Sequence, residues 1–213
     1  MGSHDTAARN RIDFGPSETV SLCLLVDEGV SEQVGREIVD AAWREEGALY
    51  RLSVTVASVR RWPRPAFTAN GIIEALLREP LAPSCDRVLA LIGRHVGDVV
   101  WGFIGLPEVL GAVDDNTSTH GYAIIQRASL NQLVMSPVSV VRHELYHLLG
   151  CDDHFNMTDC YDRIAAMKRR RRIERTEIFP AWDMVNHRVL VSREAVNARL
   201  QEIVGAIDAL PAR

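Results

Sequence analysis

A chain of 213 residues, 47% of them hydrophobic, can bury one substantial core, and a single domain spanning 1–213 is expected. A formal net charge of −4 excludes a generally nucleic-acid-binding surface. No apolar run reaches the ~20 residues of a membrane span, and residues 1–18, broken by Gly15 and Pro16, lack the hydrophobic centre of a signal peptide.

Thr19 to Val26 is a short apolar run of strand length. Ser31 caps a helix with Val34, Ile38 and Ala42 on one face, and Gly47 is read as its end. Leu49 to Arg60 alternates, with Leu52, Val54 and Val56 opposite Ser53, Thr55 and Ala57, which predicts a strand covered on both faces. Pro63 and Pro65 break the chain before Thr68 caps a helix through Ile72, Leu76 and Leu77. Asp86 to Ile92, Val99 to Ile104 and Tyr122 to Ile125 are three further strands, and the polar stretch from Gly111 to Gly121 is read as surface loop.

The stretch from Pro137 to Leu149 carries its own helix signals. Ser136 suits the N-cap, Pro137 the first helical position, and Gly150 a left-handed stop. Val141, Leu145 and Leu148 recur at i, i+4 and i+7 and give this helix one core-facing stripe. His143 and His147 stand one turn apart on another face, where both imidazoles reach one point. That is the spacing zinc needs from two ligands, and Glu144 beside them is a candidate general base.

Beyond it, Asp159 to Arg172 reads as a helix with Tyr161, Ile164 and Met167 along one side. It ends in the basic run Lys168 to Arg172, which is read as a solvated face favoured by the helix dipole; a patch for an acidic partner is the competing reading. Ser192 caps a last helix with Val196, Leu200, Val204 and Ile207 facing inward. Strands alternating with helices imply an α/β sandwich with a largely parallel sheet. The four cysteines (Cys23, Cys85, Cys151, Cys160) are too few for a disulfide scaffold, so a cytoplasmic protein is expected, with Cys151 a small packed residue. Cys151 and Cys160 would bridge only in an oxidising compartment. His4, His95, His120 and His187 have no ligand-like spacing and are read as surface or satisfied core residues.

The string His143-Glu144-x-x-His147-x-x-Gly150-x-x-Asp153 resembles the extended zinc motif of the metzincin metallopeptidases, whose third ligand comes from its last position. Most metzincins have His there, whereas the small snapalysin group has Asp followed by His, as in Asp153-His154. Register favours Asp153 as third ligand, and the commoner use of imidazole keeps His154 as its competitor. The element order also resembles the N-terminal half of a metzincin: a twisted, mixed and mainly parallel sheet, an edge strand roofing the cleft, then the zinc helix. Trp101 to Leu106 and Tyr122 to Ile125 look like the edge-strand region of the archaemetzincins, so the resemblance spans residues 19–155, followed by a smaller helical part at 156–213. Archaemetzincins also bind a second, structural zinc through cysteines after the third ligand; here Cys160 stands in roughly that place but no later Cys-x-x-Cys follows. The resemblance further implies a methionine turn beneath the zinc. Met167 and Met184 compete for it, and Met184 is favoured because it falls outside a predicted helix.

The resemblance implies a zinc metallopeptidase acting on peptide or protein substrates. His143, His147 and a third ligand leave zinc an open position for water, with Glu144 as the general base. Val99 to Gly105 would bind an extended peptide by strand addition. Two other classes remain open: a non-catalytic, zinc-stabilised binding module, and a nucleic-acid-associated protein using Lys168 to Arg172. No membrane partner is expected.

Overall fold

The structure is a computed structural model and describes residues 5–93, 109–125, 136–152 and 156–210. A short helix, α1 (Thr6–Arg9), leads into β1 (Glu18–Val26), whose second half, from Leu22 to Val26, is apolar at every position because both faces are covered. Val20, Leu22, Leu24 and Val26 enter one core, while Cys23 and Leu25 enter a second core on the opposite face. Ser31 accepts from the Val34 N–H and starts α2 (Glu32–Tyr50). This helix runs past Gly47 and stops at Arg51 in the left-handed conformation. Its buried face is Gly35, Val39, Ala42, Trp43, Glu46 and Tyr50, and Val34 is exposed, so the inward stripe lies one residue round from the expected one.

β2 (Leu52–Arg61) pairs parallel to β1 at the rim of the sheet. Its Ser53, Thr55 and Ala57 face solvent, which corrects the expectation of a strand covered on both faces: α2 covers one side only. Thr68 caps α3 (Ala69–Leu77), and β3 (Arg87–Ile92), buried throughout, pairs parallel to β1 on its other side.

The stretch from Gly111 to Gly121 is not surface loop. Gly111–Val113 forms a short strand, β4, and Asp114, Thr117, Ser118, Thr119 and His120 are buried. The Asp114 carboxylate binds the N–H groups of Asn116 and Thr117, so a turn of polar residues satisfies its own backbone and can be covered. β5 (His120–Ile124) pairs parallel to β3 and antiparallel to β4. The five-stranded sheet thus runs β2-β1-β3-β5-β4, parallel except for the β4 edge. The expected strand at Val99 to Ile104, with Trp101 to Leu106, lies outside the described residues, as does His95.

Next come α4 (Pro137–Leu148), α5 (Met157–Glu174), the hairpin β6 (Ala181–Asp183) and β7 (Arg188–Leu190), and α6 (Arg193–Asp208). α4 and α5 join α2 over one face of the sheet, while α3 and α6 close the other. The hairpin was not anticipated, because two three-residue strands carry too few positions for an alternation to show. The fold is therefore mixed α/β with a mainly parallel central sheet, and among the described residues no helix is long and apolar enough to cross a membrane.

Disulfides join Cys23 to Cys85 and Cys151 to Cys160, so Cys151 is a bridged residue rather than a merely packed one. Sequence spacing alone does not show that Cys85, just before β3, lies beside Cys23 in the neighbouring strand.

Candidate metal site on the α4 helix

α4 is built as its local signals dictate. Ser136 accepts from the Ser139 N–H, Pro137 opens the helix, and Val141, Leu145 and Leu148 are buried against the sheet and α2. Gly150 leaves the helix at a φ of +86°, a region that favours glycine, and a Cβ there would stand 3.1 Å from the Trp182 Cβ. The chain must therefore be bare at this turn for both conformational and steric reasons.

On the outer side of α4 the half-buried imidazoles of His143 and His147 converge, with Nε2 to Nε2 3.1 Å and rings at 76°. Two nitrogens bound to one tetrahedral zinc at ~2.0–2.1 Å would be about 3.3 Å apart. The pair is thus close to the bite of one ion. The Nδ1 of His147 stands 2.5 Å from the carbonyl oxygen of Cys151. A carbonyl only accepts, so Nδ1 carries the proton and the Nε2 lone pair faces the site.

Glu144 is 3% exposed and points to the β4 edge. Among the described residues its Oε2 has no hydrogen-bond partner, and burial pushes its carboxyl up to about 8. The backbone of Gly111 lies so near that a Cβ there would be 2.6 Å from the Glu144 Cδ. Two convergent imidazoles, with a buried carboxylate on the same helix next in sequence to the first of them, fit a site that receives a cation and a water.

The third-ligand candidates Asp153 and His154 lie outside the described residues. Among the described residues, no group of three His, Cys, Asp or Glu side chains is gathered that could hold a metal ion. In the sequence both candidates stand within the segment that the Cys151–Cys160 bridge closes. Of the methionines, Met167 is buried within α5 and Met184 follows β6, its N–H donating to the Asp115 carbonyl. Trp182, two residues earlier, is the side chain against the Gly150 turn.

Three supports of the site were not read from the sequence. Gly111 gives the Glu144 carboxyl its space, and the Cys151 carbonyl orients His147. Arg87, fully buried, donates to Leu148 at the end of α4 and to Phe179 and Pro180 ahead of β6, joining α4 to the hairpin. Burial lowers its guanidinium to about 10, still charged at neutral pH. An arginine opening an apolar strand is the only trace of this in the sequence.

The basic run is largely spoken for. Lys168 is buried and donates to the carbonyls of Tyr50 and Arg51 at the end of α2; Arg170 pairs with Glu174 and Arg171 with Glu18. His120 is buried with Nδ1 2.8 Å from the Thr119 hydroxyl, and His187 is exposed in the β6–β7 turn.

No family profile matches the chain, and no curated protein matches its sequence. Among solved structures it is similar to an archaemetzincin from Methanopyrus kandleri, at 19% identity over 71% of this chain and 94% of that one, with a TM-score of 0.43. It is also similar to a chain in a chaperone–substrate complex, at 16% identity over 62% of this chain but only 23% of that one, with a TM-score of 0.42. Likenesses this weak assign nothing, and the functional reading rests on the site itself.

Proposed function

We propose that the chain is a zinc-dependent metallopeptidase that hydrolyses peptide bonds, with His143 and His147 holding the metal and Glu144 acting as general base. The observation that carries this is the convergence of the two Nε2 atoms at 3.1 Å, on a helix whose Glu144, next in sequence to His143, is buried with an Oε2 that has no partner among the described residues. Asp153, three residues after the Gly150 turn, is the proposed third ligand, with His154 as its competitor. When bound, zinc supplies Lewis-acid polarisation of the substrate carbonyl and brings the pKa of a water down toward ~7.

Glu144 takes the proton of the attacking water and delivers it to the leaving amine. Burial alone favours the protonated state, so the first transfer needs the charge of a bound cation to hold Glu144 ionised, while the second is helped by the burial. The β4 edge, antiparallel to β5 and passing Glu144 at Gly111, supports binding of an extended peptide by strand addition. Val99 to Gly105, the edge expected from the sequence to bind a peptide, lies outside the described residues.

A purely structural zinc module would have no use for a buried carboxylate next in sequence to one of the ligands. A nucleic-acid site on Lys168 to Arg172 is disfavoured, because Lys168 is buried and Arg170 and Arg171 are paired within the chain. Two disulfides suit an oxidising compartment better than the cytoplasm.

The test is to load the purified protein with zinc and present a mixture of unstructured peptides. Cleavage that stops with a chelator and returns with added zinc is expected. A zinc-loaded protein that cuts none of them, with the peptides recovered intact, would count against the assignment.

A further inference from the structure

We propose that the Cys151–Cys160 bridge is a positioning element of the metal site, fixing the carbonyl that orients His147. The proposal rests on the metal-site reading above. Cys151 is held at three points. Its N–H donates to the Tyr146 carbonyl at 3.1 Å, its carbonyl accepts from His147 Nδ1, and its sulfur is bonded to Cys160 in the first turn of α5.

The hydrogen bond to Tyr146 ties Cys151 only to α4, the helix that also carries His143 and His147. Beyond the chain itself, the bridge is the covalent tie from Cys151 to α5, while Asp152 beside it pairs with Arg163 of the same helix at 3.4 Å. That helix is anchored: Lys168 of α5 binds the carbonyls of Tyr50 and Arg51, and Cys160, Tyr161 and Ile164 are buried in the main core. Cys151 and Cys160 are 1% and 3% exposed, so the bond is shielded from reductants and acts as a permanent clamp.

The clamp matters because an imidazole bonded through Nδ1 to a fixed acceptor presents Nε2 in one direction and one tautomer. Groups in this outer position typically change metal affinity by about 10–100-fold when removed. The other bridge, Cys23–Cys85, joins β1 to the chain entering β3 on the far face of the sheet and makes no contact with His143 or His147. It therefore separates a local effect on the metal from a general loss of stability.

Zinc affinity, measured by competition with a chromophoric chelator, is compared in the parent, C151A/C160A and C23A/C85A. Visible absorption after cobalt(II) loading reads the ligand geometry in the same three proteins. Expected is a loss of about 10–100-fold in zinc affinity and a changed cobalt spectrum in C151A/C160A. C23A/C85A is expected to unfold at lower temperature yet bind zinc and cobalt as the parent does. Unchanged affinity in C151A/C160A, or equal weakening in both, overturns the proposal while leaving the metal site standing. A parent that takes up no zinc overturns the metal-site reading, and the proposal with it. If C151A/C160A does not fold, C23A/C85A refolded under a phosphine reductant keeps the sulfur atoms of Cys151 and Cys160 and, against oxidised C23A/C85A, lacks only their bond. Weak zinc binding by that form supports the clamp, and failure of it also to fold makes the bridge a general staple and overturns the proposal.

Discussion

The backbone of Gly111 on the β4 edge lies against the carboxyl of Glu144 on α4, with no room between them for a methyl group. The same Cβ would also meet the Tyr122 carbonyl at 2.7 Å, so neither strand nor carboxyl can yield freely. Gly111→Ala is therefore expected to cost about 1–3 kcal/mol and to displace Glu144. Hydrolysis should fall while His143 and His147 still bind zinc. Thermal unfolding, zinc content and peptide turnover check this together, and a variant equal to the parent in all three would show that the contact is inconsequential.

His143→Ala and His147→Ala should each abolish stoichiometric zinc while leaving the sheet and helices folded. The core comprises apolar faces of β1, β3, β5 and their helices and does not need the metal to form. Metal analysis with circular dichroism checks this; global unfolding on chelation would instead mark a structural zinc.

Much of α4 was legible because its information is local: cap, proline, apolar stripe, two histidines and a terminal glycine all lie within fifteen residues, from Ser136 to Gly150. The parts that failed depend on distant chain. Lys168 looked like one member of a solvated run until the end of α2 placed the Tyr50 and Arg51 carbonyls over it. β4 was hidden because a three-residue edge strand beginning with glycine carries no periodicity, and the polar residues after it are buried by bonding to one another and, through Ser118, to the Trp182 carbonyl of the distant hairpin. The cysteine pairings required knowing which strands adjoin.

Lys168→Met removes the donor for two carbonyls at the end of α2 and is expected to destabilise by about 1–3 kcal/mol. Burial already holds this ammonium down at about 8, and it remains the charged donor at neutral pH. Chemical denaturation measures the cost. A change below the error of that measurement would mean the carbonyls find water instead.

His120 gives the metal-free protein a specific acid sensitivity. Burial lowers its pKa to about 4, partly offset by the backbone of Glu79. The unfolded chain takes up a proton near 6.5 and the folded chain resists it, so stability is complete above that pH and is lost as pH falls toward 4. The full loss amounts to about 3 kcal/mol. His120→Gln should flatten this part of the stability–pH curve, and an unchanged slope would assign the acid sensitivity to other groups.

The central claim is that Glu144 moves the proton in a zinc-assisted hydrolysis, and the most direct measurement is peptide turnover by Glu144→Gln at confirmed zinc content. Gln keeps the shape and the place beside Gly111 but cannot accept the proton. Full zinc occupancy with turnover reduced by about 10²–10⁴ is predicted. Turnover equal to the parent's at equal zinc would contradict the account.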